Sequence, residues 1–182
     1  MKNVLLLGDS IRMMYQPLVK EKLEGRANVY SPAENGRWSG YTLHSLGVWL
    51  PSLPTPDIVH WNNGIWDVGD DYKEGRHFYP PELYEDTCRR IFKILRQLTK
   101  NPDLKIIAAT TTPTANEAYT DIPLYNEILC RVAKENCVIV NDLYTAINEN
   151  LEENIGPDHL HLSRKGTAIA ADLVVAAIEK FL

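Results

Sequence analysis

Short, unbroken apolar runs alternate along this chain with longer stretches in which apolar positions recur every three or four residues. Val4 to Leu7 is continuously Val and Leu and too short for a helix of ordinary length, as expected of a strand buried in a parallel sheet. Met13, Met14, Leu18, Val19 and Leu23 fall on helical spacings, so Ile11 to Leu23 reads as a helix in which Pro17 is tolerated only in a first turn or at a kink. Asn28 to Tyr30 is a short strand candidate, and Asn35-Gly36-Arg37 with Ser39-Gly40 forms a turn-rich loop. Thr42 to Leu50 is read as a helix stopped by Pro51 and Pro54, and Asp57 to Trp61 as a second strongly apolar strand ending at Asn62-Asn63-Gly64.

The alternation continues to the end of the chain. A long helix opens at Pro80 or Pro81 and runs to about Thr99, with Leu83, Cys88, Ile91, Phe92, Leu95 and Leu98 as its buried stripe. Leu104 to Ala109 is the next strand, closed by Thr110-Thr111-Thr112-Pro113. A helix over Ile122 to Asn136, a short strand over Val138 to Val140, a helix over Leu143 to Leu151 and a final helix capped by Ser163 and reaching Phe181 complete the pattern. Strands separated by helix-length segments need crossover connections, so the expected architecture is a three-layer, flavodoxin-like α/β/α sandwich. Its sheet should be mostly parallel with about five strands, and residues 1–182 should form one domain. Asp67 to Tyr79, rich in Asp, Gly and aromatics, fits no element, and loops of that length are usually functional.

Composition narrows the function classes. A hydrophobic fraction of 45% and a charged fraction of 24% are ordinary globular values. The net charge of −5 argues against a nucleic-acid partner, and the Arg89, Arg90, Lys93 and Arg96 group reads as a solvated helix face. Three cysteines, Cys88, Cys130 and Cys137, lack metal-like spacing and read as reduced thiols. No apolar stretch has the length of a membrane span, and the amino terminus leaves no room for a signal segment, which points to a cytoplasmic protein. His44, His60 and His77 share no ligand spacing with a carboxylate, so no metal is expected.

Candidate chemistry sits at the ends of the apolar runs. Gly8-Asp9-Ser10 follows the first strand directly, where an open parallel sheet presents groups to ligands. Ser10 is a candidate nucleophile and would need a neighbouring base; its alternative role is to cap the helix that follows, and the two are compatible. In Gly156-Pro157-Asp158-His159-Leu160-His161, His161 is the candidate base and Asp158, three residues earlier, the group that orients it. His159 competes for the role of base. Asp158 and His161 also suit a plain turn before Ser163. His44, His60 and His77 read as structural or surface residues.

Gly8-Asp9-Ser10-Ile11, a glycine in the loop after the second strand, a Gly-containing asparagine segment after the third and Asp158-x-x-His161 together resemble the SGNH (GDSL-type) hydrolase superfamily in order and spacing, over nearly the whole chain. The resemblance implies a flavodoxin-like fold used by esterases, lipases, thioesterases and carbohydrate acetylesterases, with no cofactor. It makes Ser10 the nucleophile, Gly36 a backbone donor to the oxyanion, His161 the base and Asp158 its partner. The third motif departs from the family pattern Gly-x-Asn-Asp: Gly64 and Asp67 match, but Trp66 stands where Asn is expected. An indole has a single N–H and does not copy a carboxamide. Asn62 or Asn63 is then the stand-in, only one of them facing the site because consecutive strand residues face opposite ways, with Asn62 preferred; their alternative role is to cap the turn at the strand end, which leaves backbone N–H groups alone at the oxyanion.

The substrate implied is a small-molecule ester, with O-acetyl groups on carbohydrates ahead of short-chain esters and thioesters or a lysophospholipid. Tyr15, Trp38, Tyr41, Trp61, Trp66, Tyr72, Phe78 and Tyr79 gather near the motif loops, where rings stack on sugars or wall an acyl pocket. Trp38 and Trp66 are the aromatic contacts expected there. Arg12 and Arg37 flank the motifs and suit either an anionic or hydroxylated substrate or a plain surface position. Two rival readings keep the same architecture: a non-catalytic carbohydrate- or partner-binding module, and a flavin- or phosphate-binding protein. The second lacks a glycine-rich phosphate loop after the first strand.

Overall fold

The computed structural model describes residues 1–70 and 73–182. Its five strands are β1 (Lys2–Gly8), β2 (Ala27–Tyr30), β3 (Ile58–Asn62), β4 (Lys105–Ala109) and β5 (Ile139–Asn141). They form one parallel sheet in the order β2-β1-β3-β4-β5. The helices are α1 (Ser10–Lys22), α2 (Ser39–Ser52), α3 (Ile65–Val68), α4 (Pro81–Thr99), α5 (Ile122–Glu135), α6 (Leu143–Asn148), α7 (Leu151–Asn154) and α8 (Arg164–Glu179).

Strand side chains alternate between two cores, as a two-residue period requires. Leu5, Leu7, Val59, Trp61, Ile106 and Ala108 pack on α2, α4 and α5. Val4, Leu6, Ile58, Ile107 and Ala109 pack on α1, α6 and α8. Both faces are therefore covered, which is why β1 and β3 read as uninterrupted apolar runs. The expected α/β/α sandwich is the one observed.

Several local expectations are corrected. In α4 the buried side chains are Tyr84, Thr87, Cys88, Ile91, Phe92, Leu95 and Thr99. Leu83 and Leu98, assigned to that stripe, are 50% and 43% exposed, each one position off the face. Helix α2 begins three residues before Thr42, because the Asp67 carboxylate accepts the Ser39 N–H and hydroxyl and caps its first turn. It also continues through Pro51 to Ser52. The segment read as one helix from Leu143 to Leu151 is split into α6 and α7, with Asn150 accepting the Glu153 N–H to start the second. Pro17 lies in the middle of α1. The unplaced Asp67 to Tyr79 segment begins within α3 and is anchored where Tyr79 N–H donates to Asp67 O and Phe78 N–H to Gly69 O.

The order of strands places a reversal between β1 and β3, since β2 lies on one side of β1 and β3 on the other. Their carboxyl ends align, Gly8 opposite Asn62. Open sheets take ligands at such a point.

Candidate active site

Gly8 ends β1 with a φ of +150°, and a Cβ there would lie 2.3 Å from Asn62 O. That position accepts only glycine, so the chain turns sharply against β3 before α1 begins. Asp9 caps α1, its Oδ1 accepting the Ile11 N–H at 2.9 Å. Ser10, in the first turn, is half-buried, and its own N–H has no acceptor among the described residues. A free N–H at that position is available to a developing negative charge.

A turn before α8 supplies the remaining groups. Gly156 N–H donates to His161 O at 2.7 Å and His159 N–H to Gly156 O at 3.0 Å. Asp158 Oδ1 accepts the N–H groups of Leu160 and His161, at 3.0 and 2.9 Å. Its Oδ2 lies 2.7 Å from His161 Nδ1, and His161 Nε2 lies 2.9 Å from Ser10 Oγ. These contacts, first the His161 N–H, then its ring, then the Leu160 N–H, pull the Asp158 carboxyl down to about 2. An ionised carboxylate only accepts, so the Nδ1 proton donates to Asp158 and Nε2 is left to accept from the serine hydroxyl. The structure thus brings together Ser10, His161 and Asp158. His159, at φ +61°, lies instead with Ala115, Leu151 and Ile155 around a different cavity.

Ser10 and His161 open onto a cavity of about 350 Å³ that is also lined by Asn35, Ile65, Trp66, Tyr119 and Leu160. Its walls are mostly apolar with a few polar groups among them, as small-molecule sites are. Trp66, which stands where the sequence resemblance led an asparagine to be expected, is part of this wall.

The other nominated residues are placed differently. Gly36 is buried and its N–H donates to Gly8 O at 2.9 Å, so it has no hydrogen left for an oxyanion. The same bond stitches the 32–36 loop to the end of β1, and a Cβ at Gly36 would lie 2.5 Å from that carbonyl. Asn63 points away from α1: its Oδ1 accepts from Trp61 Nε1, and its Nδ2 donates to Arg37 O at 2.6 Å. Asn62 faces the α1 side, but its Nδ2 donates to Thr110 O at 3.3 Å while its Oδ1 is buried without a partner among the described residues. Neither asparagine lines the cavity.

Arg12 is 1% exposed and does not reach substrate space. Its guanidinium donates to Gly8 O, Pro32 O, Glu34 O and Gln16 Oε1, clamping the 32–36 loop to α1. Trp38 packs against Tyr41 and Phe78, both with ring centroids at 5.4 Å, outside the cavity lining. Arg37, exposed, lies over the Tyr41 ring. Tyr72 lies outside the described residues.

Beneath the site sit two buried acids. Asp9 is raised to about 7, foremost by burial, against the pull of the Ile11 N–H and with a further upward push from Asp67. Asp67 is likewise raised to about 7 by burial, against the Ser39 hydroxyl and N–H. His60, buried on β3 between Tyr15 and Asn141, is pushed down to about 3 by burial and stays neutral. The cavity-lining Asn35, Ile65, Tyr119 and Leu160 were not nominated from the sequence. Only Asn35 carried a signal there, as the polar residue opening the turn before Gly36.

No family model and no curated protein sequence matches this chain. Solved structures do. The acetyl xylan esterase AlAXEase is 20% identical, with 97% of this chain and 99% of that one aligned at a TM-score of 0.81. Axe2, an acetylxylan esterase from Geobacillus stearothermophilus, is 21% identical over 97% and 94% of the two chains at 0.79. A lipase/acylhydrolase from Enterococcus faecalis is 18% identical over 99% and 96% at 0.77. Likeness at this level of identity establishes a common fold across the full length of the chain.

Proposed function

We propose that the protein is a carboxylic ester hydrolase that removes short acyl groups, foremost O-acetyl groups on carbohydrates, through an acyl-enzyme on Ser10. The observation that carries this reading is the continuous chain Asp158 to His161 to Ser10, at 2.7 and 2.9 Å, ending at a small cavity.

In that reaction Ser10 Oγ attacks the ester carbonyl carbon as His161 Nε2 takes its proton, and Asp158 steadies the imidazolium. The carbonyl oxygen becomes an oxyanion beside the Ser10 N–H. On collapse the C–O bond to the alcohol breaks, and His161 returns the proton to the departing oxygen. Water, deprotonated by His161, then attacks the acyl-serine and releases the acid.

Two features support acetyl as the acyl group and a sugar as the alcohol. Ile65, Trp66, Tyr119 and Leu160 enclose a cavity with room for a small acyl group, and the half-buried Trp66 and Tyr119 rings in its wall suit a pyranose face. Acetyl xylan esterases also share the fold. Thioesters and lysophospholipids place the same demands on Ser10 and differ in the leaving group.

The test is hydrolysis of p-nitrophenyl esters from acetyl to octanoyl and of acetylated xylo-oligosaccharides, by wild type and Ser10→Ala. Acetyl should be preferred and Ser10→Ala inactive while still folded. Turnover that survives Ser10→Ala would sink the mechanism, and a preference for octanoyl would sink the substrate class. If a fluorophosphonate probe leaves Ser10 unlabelled while acetylated sugars bind, the chain is a binding module.

A further inference from the structure

Acyl transfer of this kind needs more than one N–H at the oxyanion, and the residues expected to provide the rest are occupied. Gly36 N–H is bonded to Gly8 O, Asn63 Nδ2 to Arg37 O, and Asn62 Nδ2 to Thr110 O. One carboxamide in the cavity wall is not. Asn35 Oδ1 accepts the Arg37 N–H at 2.7 Å, and its Nδ2 has no acceptor among the described residues. A backbone N–H can only donate, so the oxygen of this amide must face Arg37 and its two N–H bonds must face elsewhere.

The residue is also held in place. On one side, Glu34 O accepts from the buried Arg12 guanidinium at 2.6 Å. On the other, Gly36 N–H is tied to Gly8 O, two residues before the nucleophile. Asn35 is thus fixed between two anchors that both run to the strand and helix carrying Ser10. Donors fixed before the reaction cost no reorganisation when charge develops, and such groups contribute most.

We infer that Asn35 is a catalytic residue whose Nδ2 donates to the oxyanion alongside the Ser10 N–H, filling the place that Trp66 leaves vacant in the Gly64-x-x-Asp67 motif. The inference rests on the hydrolase reading above. It also assigns different work to the two polar atoms of one side chain: Oδ1 shapes the turn, and Nδ2 meets the substrate.

Those two roles separate by mutation. Asn35→Ala removes both, whereas Asn35→Ser restores a neutral acceptor for the Arg37 N–H but withdraws the donor from the cavity. With p-nitrophenyl acetate, both variants should lose roughly 100- to 1,000-fold in kcat, as other enzymes do on losing one oxyanion donor, with KM nearly unchanged. Their thermal midpoints should stay close to wild type, because the Arg12 and Gly36 anchors remain. A kcat within about tenfold of wild type in either variant, or a loss confined to KM, overturns the inference while Ser10-dependent turnover by the wild type keeps the hydrolase reading. A wild type with no Ser10-dependent turnover removes that reading and this inference together.

Discussion

Replacing Asp9 with asparagine should change how stability depends on pH. The Asp9 carboxyl is 1% exposed, and burial raises its pKa from 3.8 to about 7 despite the Ile11 N–H and the Arg12 guanidinium. In the unfolded chain it titrates near its ordinary value, about 3.9. Between pH 4 and pH 7 the folded state therefore holds a proton that the unfolded state has released. The stability this confers is complete below about pH 4 and is lost as pH rises through 7. A shift of roughly three units at about 1.4 kcal/mol each amounts to up to about 4 kcal/mol. Asp9→Asn keeps an oxygen for the Ile11 N–H and never ionises. The unfolding free energy of the variant minus that of wild type should thus climb by up to about 4 kcal/mol from pH 4 to pH 8, whatever its constant offset. Asp67, present in both proteins, largely cancels from the difference. Urea unfolding across that range, with equal m-values, measures it. A difference flat to within about 0.5 kcal/mol would refute the argument that burial controls this carboxyl.

Asp158→Asn should lower kcat by roughly 1,000- to 10,000-fold with the fold retained, because the amide no longer selects the His161 tautomer that accepts from Ser10; steady-state kinetics on p-nitrophenyl acetate checks this. Gly64→Ala should destabilise by about 3 kcal/mol or more, since the new Cβ would stand 1.9 Å from Thr111 Oγ1 at a φ of +152°. Denaturant midpoints of that variant should fall, and an unchanged midpoint would show that Thr111 yields freely. Trp66→Ala should enlarge the cavity and raise the ratio of butyryl to acetyl turnover. An unaltered ratio would place the acyl group against another wall.

The fold was legible because its information is periodic. Val4 to Leu7 and Ile58 to Trp61 are buried, and a sheet covered on both faces is what turns strands into such uninterrupted runs. Leu83 and Leu98 depart from the buried stripe because Tyr84 and Thr99, each less hydrophobic than its leucine neighbour, occupy the inward positions of α4. The Ser10, His161 and Asp158 constellation was legible for another reason: each residue lies at the end of an element, and a three-residue separation limits how Asp158 can meet His161. The donors were not legible. Whether Gly36 N–H is free depends on Gly8 O, 28 residues away, and whether Asn63 faces the cavity depends on Trp61 Nε1 and Arg37 O. Residue type says that a donor exists. Only the packed chain says what it is already bonded to.

Arg12 shows why so much polarity is buried beneath a small site. A guanidinium that is 1% exposed, with its Nε lacking a partner among the described residues, is not the choice that maximises stability. Apolar packing would hold α1 against the sheet equally well. It would not hold the 32–36 loop, whose inward-facing carbonyls need donors once water is excluded, and a planar fork reaching Gly8, Pro32 and Glu34 supplies them. Asp67 does the corresponding work at the start of α2, and Asp9 at the start of α1. Each of these groups is a poor stabiliser and a good positioner. Arg12 holds the loop that carries Asn35 and Asp9 caps the helix that carries Ser10, so the serine and the Asn35 amide are both referred to the first turns of α1.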